Sequence, residues 1–393
     1  MTDAPRRVLM IAPTSFFSDY GCHIRIAQEA HELQQRGHVV RIATYHNGDN
    51  VTGLDIVRSW DVPWVKRALV GSSRHKLYLD VALSWRSLQT ALAFKPDIIH
   101  AHLHEGGLIG AVLKRLIGKP LVFDYQGSMT AEMIDHRFLA SRESALYRAL
   151  YTLETWINRQ ADMVLTSSEN ARQMLINDFA HPPTHVTTIA DGIDTDYFAP
   201  QPANLELRAS LGIPADRKVV VYLGLLAPYQ GTNLLIESIP TVLKSVPDAH
   251  FLIMGYPDPA SYLAYATSLG VADHVTLPGR IRYLDSQHYL GLGQVAVAPK
   301  MSLSEGSGKI PQYMALGLPV ITFDAAVSRQ YLGENGIYAR YGDGADLAAK
   351  IIHTLQQPTW AASLGHANRQ LAIAHHSISH IAPQLEAVYR RLL

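Results

Sequence analysis

Short apolar runs separated by longer amphipathic stretches, repeated in two successive blocks, constrain this chain more than any other feature. In the first block the runs fall at residues 8–12, 39–44, 97–101, 121–125 and 163–167. Such short runs, rich in valine and isoleucine, read as strands covered on both faces, as in a parallel sheet. Between them lie helical patterns such as residues 24–35, closed by Arg36-Gly37-His38, where Gly37 suits the position after a helix end. The second block repeats the pattern at 219–224, 250–255, 275–278, 295–298 and 320–323. Alternation of this kind, twice over, predicts an α/β protein of two doubly wound Rossmann-like domains. The 393 residues suffice for two domains that each bury a core.

Composition then excludes several classes. Hydrophobic residues make up 48% and charged residues 17%, a balance suited to packed domains and not to disorder. The formal net charge is zero, so nothing global attracts nucleic acid, which is excluded as a partner. The single cysteine, Cys22, has no partner for an internal disulfide and fits a reducing cytoplasm. The opening MTDAPRRVLMIAP carries two arginines and a short apolar run cut by Pro13, and reads as a first buried strand, not a signal peptide. No run approaches the ~18–20 apolar residues of a membrane span. The expected location is the cytoplasm, with the inner face of the membrane as its alternative.

Chemistry concentrates in residues 300–324, KMSLSEGSGKIPQYMALGLPVITFD. Glu305 precedes Gly306-Ser307-Gly308 and Lys309, and a helical turn through Tyr313-Met314-Ala315 leads to Gly317 and Pro319. A glycine loop feeding a helix N-terminus offers free N–H groups to an anion. A carboxylate beside it suits a ligand that is phosphate at one end and polyhydroxyl at the other, as a nucleotide sugar is. A second cluster, Asp97-Ile98-Ile99-His100-Ala101-His102-Leu103-His104-Glu105, ends a strand, where open α/β sheets place ligands. Alternation puts His100 and His102 on one face, with His104 following if the strand continues. A metal held by the three histidines is the rival chemistry, and no thiolate or carboxylate set completes it.

Two motifs are discounted. Gly291-Leu292-Gly293-Gln294-Val295-Ala296 fits a dinucleotide fingerprint, but that fingerprint must follow a strand, and here the strand follows it. Asp194-Thr195-Asp196 has a metal-binding spacing but sits in a linker, where a turn or cap is expected.

These motifs resemble the retaining, GT-B-type glycosyltransferases of the family 4 kind. The donor pattern stands here as Glu305-Gly306-Ser307-Gly308 and Gln312-Tyr313-Met314-Ala315-Leu316-Gly317-Leu318-Pro319-Val320, and the inter-domain linker as Asp191-Gly192-Ile193-Asp194 through Pro200. The resemblance implies a GT-B fold whose two domains face a central cleft. It gives residues 1–195 as the acceptor-side domain, 196–378 as the donor-binding domain and 379–393 as a helix returning to the first. It further implies retaining transfer from an activated sugar, as a nucleoside diphosphate sugar, to an acceptor hydroxyl that is a carbohydrate, lipid-linked or small-molecule one. Neither a cofactor nor a metal is needed. His102 takes the position that lies against the donor sugar, Glu305 holds sugar hydroxyls, and Gln312 replaces a glutamate that grips the ribose. Gly21 matches the acceptor-side glycine loop, with His104, Glu105, Gln126 and Ser128 as neighbouring contacts.

One departure is large. The family turn G-R-L-x-x-x-K-G reads Gly224-Leu225-Leu226-Ala227-Pro228-Tyr229-Gln230-Gly231, so both diphosphate-binding charges are gone. Lys309 is the expected replacement, helped by the N–H groups of Gly306, Ser307 and Gly308, with Lys300 and Arg280 next. The alternatives are a nucleotide-sugar epimerase or phosphorylase on the same architecture, or a binding protein that has lost turnover. Trp64, Lys66, Arg67, Arg74, Lys76, Tyr78, Trp85 and Arg86 mix aromatic and basic residues, as do membrane-touching surfaces of lipid-glycosylating members; the simpler reading is a solvated helix face.

Overall fold

All ten apolar runs form strands of two parallel sheets in the computed structural model, which describes residues 4–19, 21–62, 76–135, 138–139, 141–303 and 306–393. The first sheet contains β1 (Arg7–Ala12), β2 (Val39–Thr44), β3 (Asp55–Arg58), β4 (Ile98–His102), β5 (Leu121–Tyr125), β6 (Met163–Thr166) and β7 (Val186–Thr188). Their spatial order is β3-β2-β1-β4-β5-β6-β7. The second sheet contains β8 (Lys218–Leu223), β9 (Ala249–Met254), β10 (Val275–Gly279), β11 (Val295–Ala298), β12 (Val320–Phe323) and β13 (Ile337–Ala339), ordered β10-β9-β8-β11-β12-β13. The chain divides into two units. One holds residues up to Asp191 with the C-terminal segment Ile378–Leu393; the other holds Gly192–Leu303 and Ser307–Ser377.

The first sheet is covered on both faces, as its unbroken apolar runs require. Leu9 and Ile11 join one buried cluster with Leu79, Leu83, Ile109 and Ile157, whereas Val8 and Met10 point into another with Ile26, Leu33, Ile381 and Leu385. Truncating a side chain such as Ile11 to alanine would cost about 2–5 kcal/mol. Three strands escape the sequence pattern: β3, β7 and β13 all stand at sheet edges. DIVR and VTT are partly exposed and carry polar residues, and IYA is only three residues long, so none leaves a long apolar run.

Each sheet has one point where strand order reverses, between β1 and β4 and between β8 and β11. Such switch points open a crevice at the carboxyl ends of the strands. Gly21 follows β1 and His102 ends β4; Gly224 follows β8 and Lys300 follows β11. Among the described residues, no helix is long and apolar enough to cross a membrane.

Candidate functional site

In the second unit the site forms around the turn after β8. The helix Lys309–Ala315 is fastened to that strand by Tyr313, whose buried hydroxyl accepts the Leu223 N–H (2.8 Å) and donates to the Leu223 carbonyl (3.3 Å). The fastening lays the Lys309 side chain across the turn. Its Nζ donates to Gln230 Oε1 (3.0 Å), lies 3.4 Å from Tyr222 Oη and sits 4.5 Å from the centre of the Tyr222 ring. The ring's negative face adds attraction to a cation there. The lysine end lies close over Gly224: a Cβ at that position would run into Lys309 Nζ and lie 3.1 Å from its Cε. Burial pushes the Tyr222 phenol well above its ordinary range, so the ring stays neutral beside the lysine.

Ser307 is buried, and its Oγ has no hydrogen-bond partner among the described residues. Gly308 is the residue from which the helix starts. Gly306 groups with the first unit. Glu305 lies outside the described residues. Gln312 is buried and donates its amide to Ser286 Oγ at 2.6 Å. Lys300 stands at the end of β11, and Arg280 places its guanidinium over the Tyr256 ring at 5.6 Å. Asp194 Oδ1 accepts the N–H groups of Asp196 (3.0 Å) and Tyr197 (2.9 Å), the turn expected of that triplet.

In the first unit the centre is a buried charged cluster under the β1–β4 switch point. His102 Nδ1 hydrogen-bonds Asp124 Oδ2 (3.0 Å), which also accepts from Arg25 Nε (2.9 Å) and Gln126 Nε2 (2.9 Å). Arg25 continues to Glu29 Oε1 (3.2 Å), to Asp191 Oδ1 (3.1 Å) and to the Ile189 carbonyl (3.0 Å). Burial alone would raise Asp124, but Arg25 and His102 hold it far below the ordinary carboxylate range. Glu29 goes the other way: burial, opposed by Arg25 and reinforced by Asp124, pushes it up to about 7. Burial, with His102 close by, pushes His100 well below its usual value, and its ring stacks on His102 at 4.4 Å. His100 Nδ1 hydrogen-bonds Tyr389 Oη (2.8 Å), from the C-terminal helix of the same unit.

The cluster decides how His102 presents itself. An ionised Asp124 can only accept, so Nδ1 donates to it and Nε2 is the ring nitrogen left facing away from the carboxylate. That Nε2 is buried and has no hydrogen-bond partner among the described residues. His100 Nε2 and Glu29 Oε2 are likewise unpaired, 4.0 Å apart. One ligand atom from each of Glu29, His100 and His102 lies within 4.8 Å of the others, a set that could hold a divalent metal. Ligands in a tetrahedral zinc site stand about 3.4 Å apart, and the Arg25 guanidinium already occupies one side of Glu29. A proton on Glu29 or a bridging water meets the same need with no rearrangement.

The acceptor-side candidates stand in the following places. The strand stops at His102, because Leu103 adopts φ 60° and turns the chain into the helix Leu103–Ile117. His104 therefore leaves the histidine face and packs edge-on against Phe123 and Tyr125, 3.4 Å from Glu154 Oε1. Glu105 is taken by Lys76 at 2.7 Å. Ser128 caps the helix Met129–Asp135, accepting the Ala131 N–H at 3.2 Å, and Gln126 is engaged by Asp124. Around Gly21 the space is open, since a Cβ there would meet nothing within 4 Å. Arg25, Glu29 and Asp124 escaped sequence reasoning; charged residues inside an apolar helix face and strand were the available signal. A cavity of about 380 Å³ lies nearby, lined in part by Ser128, Thr130, Arg142, Tyr147 and Tyr151.

Comparison with known proteins gives the class. Residues 20–192 match the glycosyl transferase 4-like domain and residues 217–357 the glycosyl transferases group 1 domain. The chain thus belongs to the GT-B glycosyltransferases of the family 4 kind. It is 26% identical over 287 residues to a D-inositol 3-phosphate glycosyltransferase of Nocardiopsis dassonvillei, covering 69% of this chain and 65% of the relative. The first curated relatives are matched over 62 to 66% of their own length. In fold it is similar to sucrose-phosphate synthase from Thermosynechococcus elongatus (TM-score 0.84, 20% identity, 98% of this chain and 99% of the other). It is also similar to Anabaena HepE in complex with UDP and glucose (TM-score 0.79, 17% identity, 98% and 100% covered).

Proposed function

We propose that the protein transfers a hexose from a nucleoside diphosphate sugar to an acceptor hydroxyl, with retention of configuration and without a metal ion. The observation that carries this reading is the placement of Lys309 Nζ over Gly224 and beside Gln230. It puts a cation at the turn where the family's diphosphate-binding arginine and lysine are replaced by Leu225 and Gln230. Charge accumulates on the diphosphate as the sugar leaves. A fixed donor aimed at such charge contributes ~3–4 kcal/mol to lowering the barrier. Ser307, Gly308 and Lys300 would add donors at the same edge, with Gly306 and Arg280 as further candidates.

In the first unit His102 is the candidate for the reacting sugar. Its Nε2 would accept a hydrogen bond from a sugar hydroxyl, and its neutral ring would tolerate positive charge growing at the anomeric carbon. Glu305 would position the sugar, as the family pattern implies. The acceptor oxygen bonds to the anomeric carbon on the face the diphosphate leaves; the leaving phosphate oxygen takes the acceptor proton. The cavity beside Ser128 and Arg142 is the candidate acceptor pocket, and its mixed lining suits a polar acceptor. The relatives named for D-inositol 3-phosphate and the neighbour bound to UDP and glucose make UDP-sugars and polyol phosphates the first compounds to test. The absence of the arginine–lysine pair from the turn, where Leu225 and Gln230 stand, favours a second reading, a sugar-binding protein without turnover.

Thermal unfolding against UDP, GDP, ADP and their common sugars, with wild type beside Lys309→Ala, tests this. A ligand at ~100 times its Kd adds ~2.7 kcal/mol, or several degrees. A shift with one nucleotide, lost in Lys309→Ala, is expected. No shift with any of them would overturn the donor assignment. Sugar release on adding phosphate would instead identify a phosphorylase.

A further inference from the structure

The C-terminal helix, Ile378–Leu392, lies against the first sheet, with Ile381, Leu385 and Val388 in one buried cluster with Val8, Met10 and Ile26. A polar clamp fixes its place: Glu386 takes Arg36 at 2.7 Å through one oxygen and His38 Nε2 at 3.0 Å through the other. One turn further on, Tyr389 is buried in the same cluster. Apolar packing there would be served as well by phenylalanine. The hydroxyl needs its own reason, because a buried O–H without a partner is destabilising. Its Oη meets His100 Nδ1 at 2.8 Å, and the two rings cross edge-on at 5.9 Å.

Counting protons fixes the direction of that bond. A phenol has one proton to place, and among the described residues the Tyr389 hydroxyl has His100 Nδ1 as its hydrogen-bond partner. Nδ1 therefore accepts, and the neutral His100 ring carries its own proton on Nε2. That Nε2 has no hydrogen-bond partner among the described residues, and Glu29 Oε2 stands 4.0 Å from it, too far for a bond. The one polar contact that holds His100 thus comes from the C-terminal helix. His100 and His102 are two residues apart on β4, on one side of the strand, and their rings stack with centres 4.4 Å apart and planes within 30°.

We infer that Tyr389 is a positioning residue for His102, acting through His100, so that the C-terminal helix helps to hold the side chain assigned to the reacting sugar. Asp124 holds the His102 ring by its edge at 3.0 Å, and His100 supports it across one face. Without the hydroxyl both nitrogens of His100 would be unbonded in the interior. Glu29 Oε2, itself unpaired, would then draw the His100 ring from its place on His102. The role of His102 rests on the transferase reading, whereas the test reads imidazole signals and no turnover, so the two can fail separately.

The test is nuclear magnetic resonance of the imidazole nitrogens in the full chain, grown with isotope-labelled histidine. His100→Gln and His102→Gln each delete one set of signals and so assign both. In the wild type the proton of His100 is expected on Nε2, and His102 is expected to carry one on Nδ1. Tyr389→Phe keeps the ring and removes the hydroxyl. It should shift the signals of His102 as well as those of His100, although Tyr389 bonds only the latter. Val388→Ala thins the packing of the same helix and leaves the hydroxyl in place. It should lower the melting temperature and leave both sets of signals where they were. Three results would overturn the inference: a His100 proton on Nδ1 in the wild type, His102 signals unmoved by Tyr389→Phe, or the same shifts in Val388→Ala. The wild-type spectrum alone decides the first, whether or not a variant folds.

Discussion

Lys309 Nζ stands 3.0 Å from Gln230 Oε1, so a cation reaches the turn at position 230 from a residue 79 places further along the chain. The family's lysine on that turn has become the lysine's hydrogen-bond partner. In the proposed reading the charge on the turn at the end of β8 comes from the helix Lys309–Ala315 instead of from position 230.

This relationship predicts a rescue. Lys309→Ala should lose nucleotide-dependent stabilisation and, once an acceptor is found, lower turnover by about 10²–10³-fold. Gln230→Lys added to that variant should recover part of both, because it restores a cation to the same turn. If Lys309 served only to pack on the Tyr222 ring, Lys309→Ala would lower the melting temperature without nucleotide, and Gln230→Lys would recover nothing.

A second prediction concerns Gly224→Ala. The added methyl would occupy space now held by Lys309 Nζ and lie 3.1 Å from Tyr222 Oη. A lysine end is flexible and can retreat, so stability should fall by no more than about 1 kcal/mol. Nucleotide affinity should drop about tenfold, the equivalent of ~1.4 kcal/mol. Titration calorimetry beside a urea melt separates the two; unchanged affinity would show that the lysine's place over Gly224 is immaterial to the ligand.

The sequence carried most of the fold and only part of the site. Runs such as 39–44 and 121–125 are apolar because both sheet faces are covered, so burial itself wrote the pattern. The edge strands β3, β7 and β13 lack that double burial and left no such trace. At the site, His102 was legible because it ends a strand at a switch point. The place of His104 was open because it depended on the strand continuing; one left-handed residue, Leu103, ends the alternation, and nothing in a leucine announces φ 60°. Arg25 and Asp124 were illegible for a different reason. They are 99 residues apart, and only tertiary packing makes one buried charge the partner of the other.

That pairing has an energetic consequence. Asp124→Asn leaves the Arg25 guanidinium buried without its nearest charge, and breaking a buried pair in this way costs about 3–5 kcal/mol. Arg25→Met should cost a similar amount. The double variant should be less destabilised than the two losses added, by about 0.5–3 kcal/mol, because neither charge is then stranded. A urea-melt cycle with simple additivity would mean that the two residues do not hold each other in the interior.

The last prediction follows from Glu29, which is buried and raised from 4.5 to about 7. Between those values the folded protein binds a proton that the unfolded chain has already released. Stability from this group is therefore fully present below about pH 4.5 and is lost as pH rises through about 7. Glu29→Gln keeps the shape and removes the titration. The difference in unfolding free energy between variant and wild type should grow in the variant's favour from pH 5 to pH 8. The growth should be on the order of 3 kcal/mol, set by the size of the shift. Asp80, raised to about 6 mainly by burial, titrates in both proteins and cancels. If a metal ion occupied Glu29, His100 and His102, the wild type would instead gain stability as pH rose and the ligands lost their protons, and a chelator would remove that gain. Urea melts of both proteins across this pH range, with and without EDTA, distinguish a shared proton from a bound cation in one series.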